Sequence, residues 1–333
     1  MNRRLFLQAS SISAASLAFG GCRGTSGGKE MILACYEASR PLFRAVNRRF
    51  VEHLKKETGQ TIRMLPTFGG SSKQSQVVAD GLDASIVSLA VKPDVVHLVK
   101  KGLIDEDWES RFPNQSQPYS STIVFVTRRG NPHDIQDWPH LVTKPNLSII
   151  ASNPKTGGAS RLAFLAAWGA ILKDGGSERD AEEYLKSLYR RVPILDSSSR
   201  ASLVTFGRKL QGDVLLTWEN EAYLAKREFG PAVEIVHPKR SILAVPPIAI
   251  VDANARRLNL VESARQFIDF LFTHDAQQLI AEEFYRPFDM NIHTDFPAID
   301  RFRLESIVAG GWIEAQSRFF SDGGVFDRIY GTH

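Results

Sequence analysis

Across Leu147 to Leu172 the apolar positions change period. Leu147, Ile149 and Ile150 have the spacing of a buried strand, whereas Ala163, Leu165, Ala166, Ala167 and Ile171 follow a helix. The change falls on NPKTGG, so a strand, a glycine-rich turn and a helix succeed one another. The same succession recurs twice. Thr61 to Gly81 gives an extended run, then Gly69-Gly70-Ser71-Ser72, then a helical pattern through Val77 and Val78. Val192 to Leu210 gives a short apolar strand, then Asp196-Ser197-Ser198-Ser199, then a helix.

The remaining pattern agrees with alternating strands and helices. Met31 to Tyr36 reads as a first strand. A helix starts near Pro41, with Leu42, Phe43, Val46, Phe50 and Leu54 on one face and Gly59 at its end. Ala84 to Ala90 is a strand, Pro93 opens a helix, Trp108 to Tyr119 is a loop, and Ser121 to Arg128 is a strand crossing into a second lobe. Strands alternate with helices through Val142 to Pro238, as a parallel sheet requires. Ser177 and Asp180 predict a capped helix start. Ile242 to Val251, interrupted by prolines, suits the return crossing, and Leu260 to Tyr285 reads as one helix.

Three such turns opening three helices point to an anion. The first amides of a helix have no acceptor inside it and carry the positive end of the macrodipole. In an α/β fold the carboxyl ends of the strands aim these turns into one crevice. Taken residue by residue, the duller readings stand beside this one. Ser71 and Ser199 serve equally as N-caps, Trp218 as a core aromatic, and Glu219 and Glu221 as acids favouring a helix start.

Composition narrows the class. The 333 residues suffice for two domains, and 43% hydrophobic with 23% charged is a globular balance. The net charge of +4 comes from Lys and Arg dispersed among acids, without a basic tract, which argues against nucleic acid. The chain has no G-x-x-x-x-G-K-[ST], G-x-G-x-x-G or H-E-x-x-H, and no G-x-S-x-G elbow at a strand-to-helix turn, so nucleotide, zinc and serine-hydrolase chemistry lack support, and no cofactor or metal is implied.

Met1 to Cys22 has a charged start, a small-residue and apolar middle and a small-residue end, the form of an export signal. Arg3-Arg4-Leu5-Phe6-Leu7 is similar to the twin-arginine consensus, though an ordinary basic start reads the same way. Gly20-Gly21-Cys22 resembles a lipobox, which makes Cys22 a candidate for lipidation and residues 23–30 a flexible tether. Cys35, the other cysteine, reads as a buried thiol in a strand.

The chain resembles the periplasmic sulfate- and thiosulfate-binding proteins of bacterial ABC importers over nearly its whole mature length. The likeness rests on Gly69-Gly70-Ser71-Ser72-Lys73-Gln74, Tyr119-Ser120-Ser121-Thr122-Ile123-Val124-Phe125, and Asn153-Pro154-Lys155 with its glycines. Leu165-Ala166-Ala167-Trp168-Gly169, Trp218-Glu219-Asn220-Glu221-Ala222, Phe284-Tyr285-Arg286-Pro287 and Gly310-Gly311-Trp312 add to it. The resemblance implies a two-lobe type II fold of α/β class, each lobe a mostly parallel sheet flanked by helices. Residues 31–120 with 247–333 form the first lobe and 121–246 the second. It further implies a dehydrated sulfate or thiosulfate held by uncharged donors. These are an amide of Ser71, the turn of Gly157 and Gly158, an amide of Ser199 and the indole of Trp218. Glu37 stands where the family has an aspartate orienting the first-lobe loop. The family loop N-P-K-[ST]-S-G-G-A-R reads NPKTGGASR here; anchoring on Arg161 puts Gly157 at a serine, so a hydroxyl to the anion comes from Thr156 or Ser160 or is lost. Arg200 is expected to be fixed to a nearby carboxylate.

The residue chemistry supports this independently, because sulfate at neutral pH only accepts hydrogen bonds and suits a site made only of donors. The expected protein is a monomeric, non-enzymatic periplasmic receptor, tethered through Cys22, that delivers the anion to a membrane permease. Two other readings are a receptor for molybdate or phosphate and an enzyme acting on sulfate or phosphate esters.

Overall fold

A computed structural model describes residues 29–331. The expected export signal and Cys22 therefore lie outside the described residues. Strand β1 (Lys29–Tyr36) begins two residues earlier than its apolar run. After a single 3-10 turn comes helix α1 (Arg40–Thr58), with Pro41 in its first turn and Gly59 closing it at φ 72°. Leu42, Phe43, Val46, Phe50 and Leu54 are all buried. At about 1.5–3 kcal/mol per buried large apolar side chain, that stripe outweighs the propensity differences along the helix.

Next come β2 (Ile62–Gly69), α2 (Ser71–Ala79), β3 (Ala84–Ser88) and α3 (Lys92–Lys100). The chain then enters a second sheet through β4 (Ile123–Arg128), followed by β5 (Ile149–Ser152), α4 (Gly158–Lys173) and α5 (Glu178–Tyr189). The expected capping box is present, with Ser177 accepting from the Asp180 amide. Then follow β6 (Leu195–Asp196), α6 (Ser199–Gly207), β7 (Val214–Trp218), α7 (Glu219–Phe229) and β8 (Val233–Val236). Strand β9 (Arg240–Ile242) leads to β10 (Ile248–Ile250), which returns to the first sheet.

The first sheet has the order β10-β3-β1-β2, with β2 and β3 parallel to β1 and β10 antiparallel to β3. The second has the order β6-β5-β7-β4-β8. It is evenly mixed rather than mostly parallel: β6 and β7 run parallel to β5, while β4 runs against both β7 and β8. The reversal follows from β4 being the strand by which the chain arrives from the first lobe. Two passes join the lobes side by side, bridged at Ser121 and Ala244.

Two elements depart from expectation. The predicted helix from Leu260 to Tyr285 is two helices, α8 (Val261–Leu271) and α9 (His274–Glu282). Thr273 between them caps the second by accepting from the Ala276 amide. The C-terminal part of 247–333 also leaves the first lobe. Asp300–Phe302 pairs with β9, and Phe319, Phe320 and Phe326 pack on Phe164 and Tyr189 of the second lobe. Among the described residues Cys35 is the free cysteine and is buried, and burial pushes its thiol pKa up. No helix among them is long and apolar enough to cross a membrane.

Candidate functional site

The three small-residue turns meet. A Cβ on Gly70 would stand 3.1 Å from the Thr156 carbonyl oxygen, and one on Gly158 would lie 3.0 Å from Ala90 Cβ and 3.1 Å from Ser71 Cβ. Gly70 makes room for a backbone carbonyl and Gly158 for the side chains of the facing turn, at separations tighter than ordinary contact. The Thr156 hydroxyl faces the Ser197 carbonyl at 3.1 Å, which ties in the third turn. From the end of β7, Trp218 Nε1 donates to the Ala159 carbonyl at 3.3 Å. Its ring rests 5.6 Å from that of Tyr36 at the end of β1.

The local hydrogen bonds show which donors these turns leave over. In α2 the first amide to bond back is that of Gln74, to Gly70; in α4 it is Arg161, to Gly157; in α6 it is Ser202, to Ser198. The amides of Ser71, Ser72, Lys73, Gly158, Ala159, Ser160, Ser199 and Arg200 thus precede the first intrahelical bond of their helices. Ser198 Oγ accepts from Ala201 and caps the third helix. Ser71, Thr156, Gly157, Gly158, Ser199 and Trp218 are all brought to this one region.

Most side chains around it are committed to one another. Ser71 Oγ donates to Asp94 Oδ2 at 2.5 Å and accepts from the Ala90 amide at 2.9 Å. Ser72 Oγ donates to Asp94 Oδ1 at 3.0 Å. Arg161, from α4 on the opposite lobe, reaches both, with Nη1 at 3.2 Å from Asp94 and Nη2 at 2.8 Å from Ser72. The Ser160 hydroxyl pairs with Ser152, and Thr156 faces the carbonyls of Asn153 and Ser197. Three cations beside the turns are held by carboxylates: Arg161 by Asp94, Lys155 by Asp327 at 2.8 Å, and Arg200 by Glu228 at 3.2 Å. The arrangement offers first-turn backbone N–H groups to a small anion, with the Trp218 indole beside them on the Ala159 carbonyl and the Ser71 and Ser72 hydroxyls held by Asp94. No cluster that could hold a metal occurs among the described residues.

Two of the expected site residues have hydrogen-bond partners of their own. The Gly157 amide donates to Asn153 O at 3.1 Å, so the unengaged amides of that turn begin at Gly158. Glu37 reaches the first-lobe loop only through Arg40, whose guanidinium lies 4.4 Å over the ring of Phe68 before the Gly69-Gly70 turn. Its carboxylate is gripped by Arg40 at 2.9 and 3.1 Å, and the loop serines go to Asp94 instead. Asp94 sits in the first turn of α3, where an acid reads as a helix-dipole partner, and that hides its second role. Glu37 instead lines a neighbouring cavity of about 270 Å³ with Arg40, Arg200, Glu221 and Glu228. Burial raises the Glu221 carboxyl to about 7, with Arg200 opposing the shift and Glu37 and Glu228 adding to it.

Residues 33–286 match the family model described as bacterial extracellular solute-binding protein. The sulfate-binding protein of Salmonella typhimurium is 39% identical over 90% of this chain and 92% of its own. The thiosulfate-binding protein of Pseudomonas aeruginosa is 37% identical over 98% of this chain and 99% of its own. Among solved structures, the sulfate-binding protein SubI from Mycobacterium tuberculosis superposes with a TM-score of 0.79 at 30% identity, covering 88% of this chain and 100% of that one. A Bordetella ferric binding protein, 14% identical with a TM-score of 0.57, shares the fold. The chain belongs to the sulfate/thiosulfate-binding protein family, the extracellular solute-binding components of bacterial ABC importers.

Proposed function

We propose that this protein captures sulfate or thiosulfate between its two lobes and delivers it to the permease of an ABC importer. It is a receptor and not an enzyme. The observation that carries the reading is the meeting of three helix N-termini whose first-turn amides have no intrahelical acceptor, beside cations already paired to carboxylates. Ser71, Gly158 and Ser199 supply amides, Trp218 supplies its indole N–H, and Thr156 backs the central turn. Each hydrogen bond to a charged group contributes about 1.5–3 kcal/mol net. Half a dozen of them exceed the ~8 kcal/mol of micromolar affinity and leave a surplus for desolvation and closure.

Selectivity follows from the same donors. A phosphate carrying a proton needs an acceptor, and helix-first amides offer none. The protein works outside the cytoplasmic membrane as a monomer, tethered through Cys22 after its signal is removed. Calorimetry on the mature protein tests the reading: sulfate and thiosulfate give saturable 1:1 heats, and phosphate at neutral pH competes weakly. Absence of heat with both sulfur oxyanions, or preference for phosphate, contradicts it.

A further inference from the structure

The segment that carries Trp218 also holds the lobes together. Asn220, in the first turn of α7, is fully buried and belongs to the second lobe. Its Nδ2 donates to Tyr285 Oη at 2.9 Å and to the Ala38 carbonyl at 3.3 Å. Ala38 follows β1, and Tyr285 follows α9, so both partners lie on the first lobe. Tyr285 Oη in turn donates to Ala38 O at 3.0 Å and accepts from Tyr36 Oη at 3.1 Å. One residue before, the buried Glu219 carboxylate takes two hydrogen bonds from Arg286, at 2.6 and 2.7 Å, again across the lobes.

These bonds span the two lobes beside the passes at Ser121 and Ala244, where the Glu219 amide also donates to the Thr122 carbonyl at 2.9 Å, so they depend on how the lobes are set against each other. Asn220 sits two residues after the Trp218 indole, on the same turn. Movement of one is therefore transmitted to the other across the short junction of β7 and α7. We infer that Asn220 is a positioning residue: its amide, hydrogen-bonded to Tyr285 and Ala38, latches the closed lobes and holds Trp218 over the anion turn, so that it sets how long a captured anion stays. The inference rests on the anion-capture reading above.

An anion first meets an open cleft, and the latch forms afterwards, so the latch acts on dissociation. Asn220→Asp keeps the shape, replaces the donor by an acceptor facing the Ala38 carbonyl, and opposes closure. Tyr285→Phe keeps the ring and removes the hydroxyl. Stopped-flow sulfate binding is expected to show dissociation faster by about tenfold or more in both variants, the loss of one or two cross-lobe hydrogen bonds. The association rate stays within about threefold of the parent, since it precedes closure. The ligand-free melting temperature of Asn220→Asp stays close to the parent's, whereas Tyr285→Phe also loses its bonds to Ala38 and Tyr36 within the first lobe and is judged by its dissociation rate. Unchanged dissociation rates overturn the inference, and so does a fall in the ligand-free melting temperature of Asn220→Asp as large as that of its sulfate-bound form, which marks a packing role. If the parent protein binds neither sulfate nor thiosulfate, the capture reading fails. The latch is then judged by spin-label distances between the lobes without ligand: a longer distribution in Asn220→Asp supports it, and an identical one overturns it.

Discussion

Arg161 crosses the cleft to Asp94: its Nη1 stands 3.2 Å from the carboxylate Oδ1, and each side chain is 7% exposed. Asp94 also takes the hydroxyls of Ser71 and Ser72, so one carboxylate fixes the first-lobe turn and joins it to the helix of the second. Breaking a buried pair from one side is expensive, about 3–5 kcal/mol, because the remaining charge is left without a partner. Asp94→Asn and Arg161→Met are each expected to weaken sulfate binding by tenfold or more. A double-mutant cycle should show coupling above about 1 kcal/mol. Additive losses would mean that the two residues act separately.

Gly158→Ala tests the close approach of the turns. The added methyl meets carbons of Ala90, Ser71 and Val91 at 3.0 to 3.1 Å, tighter than ordinary contact, and these atoms are close to backbone. The variant is expected to fold, because an open cleft relieves the contact, and to lose sulfate affinity by at least tenfold as closure is obstructed, a cost of about 1.4 kcal/mol or more. Calorimetry beside a ligand-free melt separates the two effects. Full affinity would show that the lobes close without bringing Gly158 against Ser71.

How far the sequence carried this picture depended on whether its signals were local. The turns at Gly69-Gly70-Ser71, Thr156-Gly157-Gly158 and Ser197-Ser198-Ser199 were legible because a change of hydrophobic period brackets each one. The bond between Arg161 and Asp94 spans 67 positions and leaves no local trace. That the loop serines go to Asp94, with Glu37 acting on Arg40, was equally hidden, since alignment of a turn gives position but not the reach of a neighbouring arginine. Thr273 lies inside Leu260 to Tyr285, a stretch whose apolar pattern reads as one helix. Its capping of Ala276 is visible only in the fold. Phe319, Phe320 and Phe326 meet Phe164 and Tyr189, partners far away in the sequence, so no local pattern says which lobe buries them.

Trp218→Phe preserves the ring against Tyr36 and removes the indole N–H. Loss of one donor to a dianion is expected to reduce affinity by about 10- to 100-fold, from 1.5–3 kcal/mol for a hydrogen bond to a charged group. The melting temperature of the ligand-free protein should change little. Unaltered affinity would assign the indole solely to the Ala159 carbonyl that it meets at 3.3 Å.

Stability should depend on pH through Glu221. Burial raises its carboxyl from its ordinary 4.5 to about 7 in the folded protein. Between those values the folded state binds a proton that the unfolded chain has released, so stability is fully present below pH 4.5 and is lost as pH rises through 7. The contribution is at most about 3 kcal/mol. Urea unfolding at pH 5.5 and pH 8 should show the parent gaining at the lower pH and Glu221→Gln showing a smaller difference. Identical pH dependence in the two proteins would contradict this assignment.

The most direct measurement is a diffraction map of the mature protein grown with sulfate. A tetrahedral peak is predicted among the first-turn amides of the helices beginning at Ser71, Gly158 and Ser199, with the Trp218 indole within ~3 Å and no lysine, arginine or metal touching it. A peak elsewhere, or one resting on a cationic side chain freed from Asp94, Asp327 or Glu228, would contradict the account.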